Sequence, residues 1–203
     1  MKKYTALMCF SALFALSACF SNQKDEESDG SIAPDLAFFE LKGPVHELND
    51  STNEIKCIFD KDGTLLTIDD RNPFTEEHLR EFDEDSRIMI EHPRYNRDSL
   101  GQISQLAMYD GEINFVWDEG HIVSATGEEA SMEWTSTYEY DDEGRLVKHA
   151  MNIWAAGKNP EGGESYSDEY SYETFDSYGN WLTRKNGDDL ESRSITYYET
   201  SNQ

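Results

Sequence analysis

The stretch Tyr138-Glu139-Tyr140-Asp141-Asp142-Glu143-Gly144-Arg145-Leu146 recurs in variant form along this chain. That recurrence constrains the fold more than any other feature. Aspartate is favoured at the first position of a type I turn and glycine at the fourth. A residue with positive φ after such a turn makes a G1 bulge and closes a short hairpin loop, and glycine takes that φ without steric cost. The aromatic before the aspartate and the apolar residue two places after the glycine then lie on the flanking strands, where they pack across the ladder. Phe59-Asp60 with Gly63 and Leu65, and Phe175-Asp176 with Gly179 and Trp181, repeat the unit. Asp98 with Gly101 and Ile103 keeps the spacing, although its aromatic, Tyr95, is displaced. Asp110-Gly111 and Trp117-Asp118-Glu119-Gly120 are shortened forms, the first suited to a two-residue type I′ turn. Phe82-Asp83 through Ile88 keeps the frame with Ser86 in the glycine position. At every copy the aspartate and glycine are explained by turn chemistry, so these residues read as scaffold.

Runs of Val, Ile, Phe, Tyr and Trp between such turns predict an all-β fold. The expected architecture is an antiparallel meander of repeated β-hairpins forming an extended twisted sheet. Its first strands fall at Val45–Leu48 and Glu54–Phe59, and its last hairpin loop at Asn186-Gly187 returns into Ile195–Tyr198. Residues 155–165, with Pro160 and two glycines, form a long loop. The segment 72–82 reads mostly as strand, with a short helical turn near Thr75–Leu79 as the alternative, because Thr75 suits a helix cap and Glu76 and Glu77 its first turn. Trp134, Ser136, Tyr138 and Tyr140 alternate onto one face, as do Tyr166, Tyr170 and Tyr172 on another strand. Two readings follow: core, or shield of a one-layer sheet, favoured because aromatics dominate strand cores, and an exposed platform for sugars or peptides.

The N-terminus carries Lys2 and Lys3, an apolar run and a small-residue end, the pattern of a secretory signal. Its end, Leu16-Ser17-Ala18-Cys19, resembles a bacterial lipobox. That resemblance implies cleavage before Cys19 and diacylglyceryl modification of its thiol, a stable anchor once multiply acylated. The implied organisation is a signal peptide over 1–18, a polar tether over 19–35 and a single β domain over 36–203. Within the tether, Lys24-Asp25-Glu26 resembles the acidic export signal of some Bacteroidetes lipoproteins, beside the plainer reading of a solvated linker. The chain has 17 basic and 42 acidic residues, a net charge of −25. Loss of Lys2 and Lys3 leaves 15 against 42, a charge of −27. Nucleic acid, which selects basic surfaces, is excluded as a partner on that ground. Of the 3 cysteines, Cys9 lies in the signal and Cys19 at the lipobox, leaving Cys57 on a strand pattern as a buried residue.

The Tyr/Phe-Asp-x-x-Gly-x-Leu units resemble YD repeats of the Rhs-like type found in small Bacteroidetes lipoproteins. The opening Leu41-Lys42-Gly43-Pro44-Val45 and the closing Asp176–Arg184 and Arg193–Tyr198 stretches resemble the ends of such proteins. The resemblance spans most of 41–198, implies a hairpin meander and implies no catalytic residues. The residues themselves offer none. His46, His78, His92, His121 and His149 show no zinc spacing. Asp60, Asp62, Gly63 and Asp69 come near a calcium loop, but Ile58 stands where the first ligand belongs. No nucleophile elbow or phosphate loop occurs, and no cofactor is expected. The sequence therefore predicts a non-enzymatic binding or structural module, anchored by lipid at the outer membrane on its periplasmic face or at the cell surface. Its expected partner is another envelope protein or a glycan. A hydrolase using a carboxylate pair in a deep pocket is the reading from another class, and a surface coat without a ligand is a third.

Overall fold

The computed structural model of the chain describes residues 33–75, 79–83 and 88–199, and the side chains of 33–75 and 93–199. Cys19 and the rest of 1–32, His78, Ser86 and the middle of the Thr75–Leu79 turn lie outside the described residues.

The Asp-x-x-Gly units build one backbone geometry four times. In each, the aspartate carbonyl accepts from the glycine N–H, at 3.1 Å for Asp60–Gly63, 3.2 Å for Asp98–Gly101, 2.8 Å for Asp141–Gly144 and 3.2 Å for Asp176–Gly179. In each, the aspartate Oδ1 also accepts two further backbone N–H groups, two and four residues on. The glycines have φ between 71° and 81°. A register shift follows each turn, pairing Phe59 with Leu65, Arg97 with Ile103, Tyr140 with Leu146 and Phe175 with Trp181. The turn aspartate thus satisfies the N–H groups that the loop would otherwise leave open.

The strands in chain order are β1 Val45–Asp50, β2 Ile55–Phe59, β3 Leu65–Ile68, β4 Leu79–Asp83, β5 Ile88–His92, β6 Arg94–Arg97 and β7 Ile103–Ala107. The chain continues through β8 Gly111–Asp118, β9 His121–Glu129, β10 Met132–Tyr140, β11 Leu146–Ala155, β12 Glu164–Phe175, β13 Trp181–Asn186 and β14 Asp189–Tyr197. Twelve strands form one antiparallel sheet, ordered β3-β2-β1-β14-β13-β12-β11-β10-β9-β8-β7-β6. The first and last strands lie side by side, Val45 opposite Tyr197. β4 and β5 make a separate ribbon in which Asp83 itself pairs with Ile88, so the Phe82–Ile88 frame does not reproduce the register of the four tips.

Because successive turns alternate ends of a meander, all four Asp-x-x-Gly tips share one rim with the Glu119-Gly120 turn. The loops at 51–54, 109–110, 130–131, 156–163 and 187–188 occupy the opposite rim. Two turns differ from expectation. Neither Asp110 nor Gly111 has positive φ, so the expected type I′ turn is not there. Gly111 is needed for close approach instead, since a Cβ would lie 1.8 Å from the Glu128 carbonyl oxygen. The type I′ signature, positive φ at both central residues, belongs to Glu119 (47°) and Gly120 (82°).

A short helix precedes the strands. Pro34–Phe38 forms a one-turn helix, α1, with proline in its first turn, where its missing N–H costs nothing. Glu40, at φ 52°, ends it, with Leu41 N–H bonded to Leu36 O at 2.8 Å and Glu40 N–H to Ala37 O at 3.1 Å. This is the Schellman arrangement with glutamate in the usual glycine position. Asp35, expected at the end of a solvated tether, is only 2% exposed. Its Oδ2 accepts from Leu65 N–H of β3 and from Arg97 Nη2 of β6, both at 2.6 Å. One carboxylate thereby touches both edge strands of the sheet. Tyr95 N–H of β6 also reaches Pro73 O, beyond the end of β3, at 2.7 Å. The sheet is rolled into an unclosed barrel around α1, with Asp35 as the clasp at its seam. Phe38, fully buried, packs edge-on against Tyr95 and Phe115.

Candidate functional site

Among the described residues, apolar side chains form one continuous interior cluster. Trp134, Tyr138 and Tyr170 are buried in one continuous core with Phe59, Leu65, Ile103 and Leu146, and Tyr140 and Tyr172 pack against it. The striped aromatics are therefore core, as the favoured reading has it. Tyr166, at 44% exposure, stands apart from them. Cys57 is fully buried, and burial pushes its thiol well above the ordinary range, which removes it as a nucleophile.

Within this core lies a charge-balanced network missed in the sequence. Glu40 accepts from Trp181 Nε1, and Glu191 accepts from Arg184 Nε. Arg193 donates to the carbonyls of Trp181 at 2.7 Å, Phe39 at 2.9 Å and Glu40 at 3.1 Å. Arg184 and Arg193 both lie against the Trp181 ring, 4.4 and 3.8 Å from its centroid. Burial raises the Glu40 carboxyl pKa against the pull of Arg184 and Arg193. Burial pushes Arg193 down to about 10. Two carboxylates facing two guanidiniums fasten α1 to β13 and β14. A one-turn helix cannot stand alone in water, and these bonds with the burial of Phe38 hold it.

A second arrangement faces solvent. On the outer face of β8–β11, toward the rim opposite the Asp-x-x-Gly tips, lies a shallow groove of about 220 Å3. Strand register builds its floor. Glu112 pairs with Glu128, Glu128 with Glu133, and Glu133 with Trp154. The next row runs Asn114–Thr126–Thr135. Glu133 is oriented by Trp154 Nε1 and by Gly157 N–H, each at 3.0 Å. Glu112 accepts from Gln105 at 2.9 Å and from Asn114 at 2.7 Å. The lining contains no lysine or arginine. Like charges directly opposite across a ladder destabilise it, so the alignment of three glutamates opposes the stability that their separate hydrogen bonds supply. Carboxylates, amides and hydroxyls beside an indole can hydrogen-bond a polyhydroxylated or cationic ligand.

Asp60, Gly63, Asp98, Gly101, Asp141, Gly144, Asp176 and Gly179 are brought to one rim, but each aspartate is occupied by its own turn. Burial works against it, yet hydrogen bonds from the Arg145 side chain and backbone hold the Asp141 carboxyl below its usual value. Asp110 and Gly111 sit at the other rim. Asp60 precedes β3 and Asp69 follows it, so the two are not brought together. Asp69 instead accepts from Lys56 N–H at 2.9 Å. Among the described residues, no cluster of histidine, cysteine and acidic side chains is arranged to hold a metal ion. The groove residues carried no sequence signal, because their alignment exists only through register across four strands.

A scan against models of known protein families finds none that matches the chain, and a search of curated proteins finds none similar to it. The fold places the chain among antiparallel all-β proteins.

Proposed function

We propose that this is a lipid-anchored cell-envelope protein of the outer membrane, a non-enzymatic binding module of the YD-repeat type, whose ligand-facing surface is the groove at Glu112, Glu128, Glu133 and Trp154. The groove carries the reading: it is a concave polar surface that sets three carboxylates in one row across neighbouring strands beside an indole. The lipobox-like Leu16–Cys19 supports the anchor, and the fourfold repetition of one tip geometry supports the repeat reading. The chain enters the domain at the tip rim, beside Gly63, whose Cβ position lies 2.8 Å from Ala33. A tether attached there leaves the groove at the end of the strands away from the attachment. The ligand is a glycan or a polar segment of another envelope component.

Retention of envelope glycans and proteins by residues 21–203, compared with a Glu128→Gln/Glu133→Gln/Trp154→Ala variant, tests this. The unaltered fragment retains a component that the variant loses. Equal retention by both, or retention by neither, removes the groove from the proposal. The anchor is read separately: Cys19→Ala abolishes incorporation of an alkyne-labelled fatty acid.

A further inference from the structure

β12 is longer than the strand beside it. Its residues 170–175 pair with β13, but Glu164–Glu169 pair only with β11. The β13–β14 hairpin ends beside Glu169, whose carbonyl accepts from Gly187 N–H at 3.3 Å. That bond fixes which way the backbone faces. In an antiparallel strand the N–H and C=O of one residue point to the same side and alternate along the chain. Glu169 faces the β13 side, so Ser167 and Ser165 face it too, and among the described residues no strand lies beyond them. Residues 164–167 are also exposed on both faces of the strand. A polar strand held from one side only is an open template for another chain.

We propose that the Ser165–Ser167 edge of β12 docks an extended, basic segment of a protein partner by strand addition. The backbone groups of Ser165 and Ser167 would supply the pairing, as in other strand-addition complexes. Charge selects the occupant. Glu164, Asp168 and Glu169 lie along the edge and Asp188 and Asp189 at the neighbouring turn. A second copy paired antiparallel, with Ser165 opposite Ser167, would set Glu164 against Asp168 on both sides of the axis, which like-charge pairing disfavours. Lysines or arginines at alternate positions of a foreign segment match the acids instead. The proposal rests on the binding-module reading but uses a surface separate from the groove.

The test uses the full chain in detergent and a fluorescein-labelled peptide, Thr-Lys-Val-Lys-Val-Lys-Thr, followed by anisotropy. The expected result is saturable binding that weakens at least about tenfold when alternate peptide nitrogens are methylated, since methylation removes the edge hydrogen bonds. Ser167→Pro removes one outward N–H without touching the β11 ladder and gives a similar loss at an unchanged melting temperature. A Glu-for-Lys peptide does not bind. The proposal is overturned by absent binding, by equal affinity for the methylated or acidic peptide, or by sedimentation showing a dimer that Ser167→Pro dissolves. The groove variant binds this peptide normally, so failure of the groove reading and failure of this one are distinguishable.

Discussion

At the residue scale, one turn position carries different costs in different copies. Gly179 and Gly63 share a φ of 81°, but only Gly63 is crowded, its Cβ position lying 2.8 Å from both Ala33 and Leu36. Gly179→Ala is therefore expected to cost about 1–2 kcal/mol from backbone strain alone. Gly63→Ala should cost more because it also displaces α1, and urea unfolding of the two variants checks the order. His149 gives a pH dependence. Its ring stacks on Tyr138 at 4.9 Å, and burial lowers its pKa from 6.5, against the pull of Asp168. The unfolded chain thus binds this proton more readily than the folded one. Stability from this group is complete above 6.5 and is lost as pH falls toward the lower folded value. His149→Phe keeps a ring on Tyr138 and removes the titration. Unfolding free energies at about pH 7.5 and about pH 5 should show the native protein losing ground to the variant on acidification.

At the element scale, α1 decides whether the sheet stays rolled. Its helix is too short to persist without partners, so its contacts hold helix and sheet edges together. Asp35→Ala leaves Leu65 N–H and the Arg97 guanidinium without the carboxylate that joins them. Breaking a buried ion pair on one side typically costs about 3–5 kcal/mol; with Arg97 partly exposed the loss should fall at or below the lower end of that range. Hydrogen exchange offers a sharper reading than stability. Protection should fall together in Leu65–Ile68 and Arg94–Arg97, strands at opposite edges of the sheet order, while β10–β12 stay protected. Loss confined to one edge would show that Asp35 does not act as a clasp.

At the scale of the whole molecule, charge and topology oppose easy folding. A net charge of −25 repels itself across the compact state, and salt screens that repulsion over about 8 Å at physiological ionic strength. The melting temperature should therefore rise between low and physiological salt, by calorimetry; a fall would mean that specific ion pairs outweigh the general repulsion. The pairing of β1 with β14 ties the first strand to the last. The sheet cannot be completed until nearly the whole chain is present, a non-local closure that slows folding.

The hairpin meander was legible in the sequence because its causes are local. Aspartate at the start of a turn, glycine at positive φ and alternating aromatics each act within a few residues, so Asp60, Asp98, Asp141 and Asp176 announce their turns without help from the rest of the chain. Asp110-Gly111 shows the limit of that logic. The same dipeptide permits several turns, and contact with the Glu128 backbone selected one that local preference did not. The helix at Pro34–Phe38 was illegible because Glu40 ends it where glycine is expected, held there by Trp181 and two arginines distant in the chain. Likewise, Glu112, Glu128 and Glu133 are unremarkable on their separate strands. The sequence by itself determined the strand meander, the four Asp-x-x-Gly turns and the buried aromatic faces. Only the tertiary structure decided the roll of the sheet, the clasp at Asp35, the row of glutamates and the open edge of β12, because each depends on the register and closure of strands far apart in sequence.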